Sequence, residues 1–248
     1  QERVGFPCTA HLRDIVRLSR QALDDLAANR RLIAVSRATA EYHIGQGLRP
    51  ERLVVIYNGI DGSRFRPAAS VFERSAVQRE LGLSADARLL LTVGQIGLRK
   101  GLDLLAAAAA RIAASDERIH FVHVGERHSA KAETVVYERQ ILSTFTAAGL
   151  AARWHQLGYR FDPPELLRSA ELLIHPSRQE PFGRVLLEAA ATGLPIVATD
   201  VGGTREMLPE GTACLTPPGS VDRLAEEVLR LLSDRQGREQ LRQSARQR

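Results

Sequence analysis

The chain has 248 residues, of which 44% are hydrophobic and 25% are charged. This composition is typical of a globular protein, and the length allows one large domain or two smaller ones. The net charge of +5 comes mostly from arginine, but no interleaved aromatic residues or nucleic-acid motif accompany it, which argues against a nucleic-acid partner. The longest run of small apolar residues, Leu104 to Ala110, is too short to span a bilayer. Cys8 and Cys214 lack metal-ligand spacing, which favours free thiols in a reduced, cytoplasmic setting.

The first 67 residues contain too few elements to form a complete domain. Helical spacing of apolar residues predicts a helix from Leu12 to Ala28, and Ser36 can cap a second helix. Short strands are expected at Phe6–Ala10, ending at His11, at Leu32–Val35 and at Leu53–Ile56. Three strands and two helices do not close a doubly wound domain on their own.

Strands and helices alternate from residue 68 onward, which predicts an α/β fold with a doubly wound, Rossmann-like parallel sheet. Residues 68–87 predict a linker and an amphipathic helix. Further strands are expected at 88–93, 119–124, 154–157, 172–174, 195–198 and 213–215. Further helices are expected at 102–114, 133–147, 165–169, 184–192, 204–208 and 221–233, followed by a charged helical tail.

A glycine-rich turn, residues 94–101, follows the strand at 88–93. Its glycines, starting with Gly94, permit close backbone approach, and the next helix begins with free amides, so the turn suits a phosphate. Lys100 would supply a point charge for a diphosphate. The alternative is an ordinary strand–helix turn with solvated basic residues.

Polar groups gather between His175 and Gly203, at the ends of two predicted parallel strands, where open sheets bind ligands. The amides at Phe182, Gly183 and Arg184 begin a helix and lack partners inside it, so they form a candidate anion site.

Two carboxylates accompany this anion site. Glu180 in the loop and Glu188 in the helix can accept strong hydrogen bonds from sugar hydroxyls. The alternatives are that Glu180 is a solvated loop charge and that Glu188 only pairs with Arg184, four residues earlier.

As a whole, this stretch resembles the donor-site signature of the retaining GT-B glycosyltransferases of family 4. The matching residues are Pro176-Ser177, Glu180, Phe182-Gly183, Glu188-Ala189, Gly193, Pro195, Gly202-Gly203 and Glu206. The glycine-rich turn is similar to the family pattern as well, since Lys100 and Gly101 fit it. Gln95, however, stands where arginine is usual and removes one of two expected phosphate cations, for which Arg99 could compensate.

The resemblance implies a GT-B fold divided at residue 67. Residues 1–67 would be the carboxyl-terminal remnant of the acceptor-binding domain and the linker, and residues 68–248 the nucleotide-sugar donor domain. The chain would then be a fragment that lacks most of the acceptor domain.

The resemblance also implies an activity, the transfer of a hexosyl unit from a UDP- or GDP-sugar to a hydroxyl acceptor with retained configuration. No metal or other cofactor would be required, and His120, His123, His128 and His155 show no metal-ligand spacing. The expected location is cytoplasmic, with peripheral contact to the inner face of the membrane left open. The alternatives are a nucleotide-sugar-binding module without activity of its own, and another GT-B enzyme such as a sugar phosphorylase or a non-hydrolysing epimerase.

The resemblance assigns roles to individual residues. The catalytic candidates are Glu180, Lys100 and His11. The donor-binding candidates are Gly94, Gln95, Arg99, Lys100, Tyr159, Arg160, Glu180, Phe182, Gly183, Arg184 and Glu188. For His11 the alternative is a local hydrogen-bond partner beside an Arg13–Asp14 ion pair, and for Tyr159 and Arg160 it is an exposed loop pair.

Overall fold

The computed structural model describes residues 8–246, which form two parallel β-sheets with helices around them. The first sheet has the order β1-β2-β3, with strands Thr9–Leu12, Arg31–Ala34 and Leu53–Val55. The second sheet has the order β6-β5-β4-β7-β8-β9. In chain order, its strands β4 to β9 are Arg88–Val93, Ile119–Val124, Trp154–Gln156, Leu172–His175, Ile196–Thr199 and Cys214–Thr216.

The helices alternate with these strands, as the pattern of apolar residues predicts. Helices α1 to α4 are Arg20–Ala27, Arg37–Ile44, Val71–Arg74 and Ala76–Glu80. Helices α5 to α8 are Leu102–Ala113, Ala132–Ala147, Pro163–Ser169 and Arg184–Thr192. Helices α9 to α11 are Thr204–Met207, Val221–Ser233 and Arg235–Arg246. The predicted α/β class with doubly wound parallel sheets is therefore confirmed.

The second sheet is buried on both faces, which explains its almost continuous apolar strands. Successive strand residues point to opposite sides. Leu90 and Phe121 pack with α5, α6 and α10 on one face. Leu91 and Val122 pack with α7 and α8 on the other face. The carboxyl ends of β4, β7 and β8 meet at one edge, where their loops can form a site.

The predicted helix from Leu12 to Ala28 is wrong in its first half. The helix α1 begins only after Ser19, whose hydroxyl accepts a hydrogen bond from the amide of Ala22 at 3.2 Å. Before it, Ile15 is buried and its carbonyl accepts a hydrogen bond from the side chain of Gln179 at 2.6 Å. A long-range contact with the second sheet therefore replaces the helical turn that the local spacing favours.

The predicted amphipathic helix in residues 68–87 is also different, because it is divided into α3 and α4. Val77 is buried as expected, but Val71 and Phe72 are 79% and 71% exposed. The predicted strand at Phe6–Ala10 lies partly outside the described residues, within which β1 covers Thr9–Leu12.

No helix in the described range, 8–246, is both long enough and apolar enough to cross a membrane.

Candidate active site

Two glycines let the loops at the carboxyl edge of the second sheet touch backbone to backbone. Gly101 has a φ of 65°, and a Cβ there would lie 2.0 Å from the carbonyl oxygen of Pro176. Gly202 has a φ of 51°, and a Cβ there would lie 2.2 Å from the carbonyl oxygen of Glu180. Both positions require glycine, because any side chain would collide with backbone and the positive φ disfavours other residues. The glycine-rich turn after β4 is thereby held against the loop that carries Glu180.

A buried ion pair lies where these loops meet. The Lys100 Nζ lies 2.6 Å from Oε2 of Glu180, and their side chains are only 16% and 6% exposed. Nε2 of His175 lies 2.7 Å from the same carboxylate oxygen and 3.0 Å from the hydroxyl of Ser177. The interpretation of Glu180 as a solvated loop charge is therefore wrong. The structure instead brings Lys100 and Glu180, two of the catalytic candidates, into direct contact.

The electrostatics of this group favour an ionised carboxylate. Burial alone would raise the pKa of Glu180, but the hydrogen bond with His175 and the charges around it outweigh burial and lower the pKa. Burial lowers the pKa of His175, against the opposite influence of Glu180. Nε2 of His175 and the ammonium group of Lys100 thus both face the ionised carboxylate of Glu180.

The helix α8 begins beside Glu180. Its N-cap is Gly183, which has a φ of 84°, and a Cβ there would meet Leu186 Cδ1 at 2.7 Å and Glu180 Cγ at 3.2 Å. The amides at residues 182–184 have no acceptor inside α8 because the helix starts there. The predicted anion site thus lies next to the Lys100–Glu180 pair, although the Phe182 side chain itself is buried, with its ring centroid 6.0 Å from that of Tyr57.

Glu188 lies one turn into α8 and pairs with Arg184 as the simpler interpretation predicts. The distance from Arg184 Nε to Glu188 Oε1 is 3.1 Å, and the side chains are 68% and 11% exposed. Burial raises the pKa of Glu188 even though Arg184 acts in the opposite direction. A ligand hydroxyl would therefore find a poorly solvated carboxylate here, which favours hydrogen bonding to it.

Arg99 does not simply replace the arginine that is usual at position 95. Gln95 is exposed. The guanidinium of Arg99 pairs with Asp14, which lies just after β1 of the first sheet, with 3.3 Å between Nη1 and Oδ1. The expected Arg13–Asp14 ion pair is therefore replaced by a contact between the two sheet regions. His11 is exposed near the end of β1, three residues before Asp14.

The donor-binding candidates Tyr159 and Arg160 differ in how free their side chains are. Tyr159 is 61% exposed, and its ring meets that of Phe161 edge-on at 4.9 Å. Arg160 forms paired hydrogen bonds with Glu80, at 2.5 and 3.0 Å, and with Asp162, at 2.8 and 2.6 Å. Its guanidinium is thus occupied by two carboxylates, which leaves Tyr159 as the freer side chain of the two.

Glu206 was only part of the sequence signature, and its structural role could not be inferred from spacing. Its carboxylate accepts hydrogen bonds from the amides of Arg37 and Ala38 at 2.8 and 2.9 Å and from the hydroxyl of Tyr57 at 3.0 Å. A residue of the second-sheet region therefore caps α2 beside the first sheet. Nearby, Ser36 donates to the carbonyl of Pro181 at 2.5 Å, so the site lies at a hydrogen-bonded junction of both regions.

A second set of contacts, which the sequence did not predict, fixes the loop after β7. Arg178 forms two hydrogen bonds with Asp103, at 2.7 and 2.6 Å, and Tyr137 donates to Asp103 at 2.7 Å. The amide of Arg178 also donates to the carbonyl of Arg99 at 2.8 Å.

Within residues 8–246, no group of three or more His, Cys, Asp or Glu side chains is arranged to hold a metal ion.

The chain matches two known protein families. The family described as glycosyl transferases group 1 matches residues 73–248, and glycosyltransferase family 4 matches residues 5–64. The chain belongs to the glycosyl transferases group 1 family. The resemblance inferred from residues 175–206 is thereby confirmed at the level of the family.

Curated relatives of this glycosyltransferase chain include two D-inositol 3-phosphate glycosyltransferases. The protein from Geodermatophilus obscurus is 38% identical over 178 residues, which are 67% of this chain and 37% of that protein. The one from Catenulispora acidiphila is 32% identical over 221 residues, 84% of this chain and 50% of that protein. A lipopolysaccharide core mannosyltransferase, LpsB of Rhizobium meliloti, is 29% identical, with coverage of 81% and 58%. The chain thus spans about half the length, or less, of the first curated relatives.

Solved structures place this glycosyltransferase chain among GT-B proteins. Anabaena Alr3699/HepE in complex with UDP-glucose superposes with a TM-score of 0.88 at 29% identity and covers 97% of this chain and 66% of that chain. Sucrose-phosphate synthase from Thermosynechococcus elongatus has a TM-score of 0.82 at 24% identity, with 99% and 63% covered, and supports the fold alone. The predicted GT-B fold is therefore confirmed.

Proposed function

We propose that this chain is the donor-binding part of a retaining hexosyltransferase that takes a nucleotide diphosphate sugar. The observation that carries the proposal is the buried Lys100–Glu180–His175 group beside the first amides of α8. Cleavage of the glycosidic bond leaves an electron pair on the diphosphate oxygen, and preorganised cations and amides stabilise that charge. Lys100 and the amides at residues 182–184 would supply this stabilisation without a metal.

The carboxylates would orient the rest of the donor. Glu180 is held ionised and can accept hydrogen bonds from sugar hydroxyls, while Glu188 would bind the ribose. His11 would face the sugar from β1, Tyr159 and Arg160 would lie near the base, and Gly94, Gln95 and Arg99 would surround the diphosphate. The UDP-glucose complex of Alr3699/HepE, a relative similar over 97% of this chain, makes UDP the first nucleotide to test and GDP the second.

The acceptor is proposed only as a hydroxyl group, since the named relatives include proteins for inositol phosphate and for lipopolysaccharide core. A second candidate is a nucleotide-sugar-binding module without activity of its own. It is favoured by the small first sheet, which has three strands in the described residues, and by the partial coverage of the relatives. In that case residues 1–67 belong to an acceptor domain completed by further sequence.

Calorimetric titration with UDP and GDP tests the donor site. The chain has two lysines, so Lys131→Ala, an exposed position, is a matched control for Lys100→Ala. We expect one nucleotide to bind and Lys100→Ala or Glu188→Ala to weaken it by about 1–3 kcal/mol, the scale of a charged hydrogen bond. Equal binding by Lys100→Ala and Lys131→Ala would refute the assignment of Lys100.

Turnover separates the two candidates. Incubation with UDP-glucose and a panel of hydroxyl acceptors, followed by proton NMR of the anomeric signal, reports both transfer and configuration. Product with the anomeric configuration of the donor supports the retaining transferase, and inverted product refutes it. Binding without any product supports the binding module.

A further inference from the structure

A cavity lies at the amino-terminal ends of β7 and β8, on the side of the second sheet opposite the candidate donor site. Its volume is about 200 Å³. It is lined by Pro67 of the linker, Leu167 of α7, Gly193 after α8 and part of α11. The strands β7 and β8 begin next to it, whereas the Lys100–Glu180 pair lies beyond their carboxyl ends. The cavity therefore cannot be part of the site for the donor diphosphate.

The lining of this cavity is strongly basic. Arg74, Arg168, Arg242 and Arg246 contribute to its wall, against a single lining carboxylate, Glu239. An adjoining cavity of about 660 Å³ shares Arg74, Arg242 and Glu239 with it. Four guanidinium groups thus come together from α3, α7 and α11, which are far apart in sequence.

Arg168 lacks the partners that a buried arginine normally has. Its side chain is 16% exposed, and its Nε is buried without a hydrogen-bond acceptor in the described part of the chain. The nearest carboxylate, Glu73, lies 3.9 Å away. Glu73 is itself bound by Arg66 through two hydrogen bonds of 3.0 and 2.9 Å and by the amide of Ala69 at 2.9 Å. A buried Nε–H group without a hydrogen-bond acceptor is costly even beside the charge of Glu73, so a missing acceptor is indicated here.

Arg242 is paired only loosely with a carboxylate. Its Nη1 is 3.7 Å from Glu239, beyond hydrogen-bond distance, and its side chain is 31% exposed. Burial lowers its pKa, the nearby Arg74 and Arg238 lower it further, and Glu239 and Glu171 act in the opposite direction. Repulsion among cations in a confined space is relieved most directly by an anion with several acceptor oxygens.

We propose that this arginine-lined cavity, defined by Arg74, Arg168, Arg242 and Arg246, binds the phosphate group of a ligand distinct from the sugar donor. A phosphate offers several acceptor oxygens, which match the fork of the guanidinium group. Occupation would join α3 to α7 and α11 through one anion. The same chemistry is offered by a soluble phosphate compound and by an anionic lipid headgroup.

The test starts from the Lys100→Ala chain, which removes the principal phosphate cation of the donor site. Inorganic phosphate and pyrophosphate are titrated by calorimetry at constant ionic strength, and hydrogen exchange locates the response. We expect saturable binding that protects residues 235–246 and that weakens at least tenfold in Arg168→Gln with Arg242→Gln. Arg246→Gln, at an exposed position, provides a variant that should fold normally and still weaken binding.

A matched control and a lipid arm complete the experiment. Arg139→Gln removes an exposed arginine of α6 outside both cavities and should leave binding unchanged. Vesicles of phosphatidylcholine with and without phosphatidylglycerol are tested with the same variants. Binding only to the anionic vesicles, lost in the cavity variants, identifies a headgroup as the source of the phosphate. The proposal is overturned if neither arm shows saturable binding, if the exchange response lies elsewhere, or if Arg139→Gln weakens binding as much as the cavity variants.

Discussion

Glu206 holds α2 of the first-sheet region against the second-sheet region, so Glu206→Ala should loosen their junction. The substitution removes the acceptor for the amides of Arg37 and Ala38 and for the hydroxyl of Tyr57, at 2.8, 2.9 and 3.0 Å. Hydrogen bonds to a charged group contribute about 1.5–3 kcal/mol each when fully buried. Arg37 is exposed, however, so water can solvate the freed amides.

The expected cost is therefore that of losing a helix cap, about 1–2 kcal/mol. For a chain of this length, each kcal/mol lowers Tm by about 2–4 °C. We expect Tm to fall by about 2–8 °C, and the amides of Arg37 and Ala38 to exchange faster than in the parent chain. Ser36 still caps α2 through the amide of Thr39 at 3.0 Å, so the helix itself should persist.

Differential scanning calorimetry and hydrogen exchange measure the two effects. The control is Glu210→Ala, which removes the same charge from an exposed position four residues later. A Tm within about 1 °C of the parent, together with unchanged exchange at residues 37 and 38, would show that Glu206 does not clamp the junction. An equal fall of Tm in Glu210→Ala would attribute the effect to net charge.

Three further predictions concern the site and its surroundings. Gly202→Ala should destabilise the chain by more than about 2 kcal/mol in urea unfolding and abolish UDP binding, because its Cβ would meet the carbonyl of Glu180. Gly211→Ala is the control, since that glycine also has a positive φ but nothing lies within 4 Å of its Cβ, and it should cost only about 1 kcal/mol. Lys100→Met should move acid unfolding to higher pH in far-UV circular dichroism. The folded-state pKa of Glu180 lies below its ordinary 4.5, so its stabilisation exists above that pH and is lost as pH falls, and removing the ammonium raises the folded pKa. Burial lowers the pKa of His123 from 6.5 to about 4, so the parent loses stability as pH falls through that window, and His123→Gln should show a flatter profile there in urea titrations.

Local patterns were sufficient for most of the second sheet. Strands buried on both faces are uniformly apolar, and the helices between them repeat apolar residues at helical spacing, so both could be recognised in residues 88–233. Capping was equally local, since Ser36 and Ser220 accept hydrogen bonds from amides three residues later. The Arg184–Glu188 pair, one turn apart, was the alternative interpretation of Glu188, and the structure contains it.

Long-range contacts account for the errors. Residues before α1 have helical spacing, yet the carbonyl of Ile15 is taken by Gln179, 164 residues away. The polar loop left open whether the carboxylate of Glu180 is solvated or lies in a crevice, and Lys100, 80 residues earlier, covers it. No periodicity within one element contains this information, because each contact depends on how separate loops meet in the folded sheet.

The Gly-Gly pair in the donor-site signature shows why a sequence pattern can be recognised before its cause is known. Gly202 and Gly203 precede α9, and a Cβ on either would lie 2.2 Å from the carbonyl oxygen of Glu180 or 2.6 Å from that of Pro181. The amide of Gly203 donates to the Glu180 carbonyl at 2.9 Å. The backbone of Glu180 is therefore fixed from the β8 side while its carboxylate is fixed by Lys100 and His175. A side chain at either glycine would push this backbone away, so the glycine pair and Glu180 belong to one arrangement in the site.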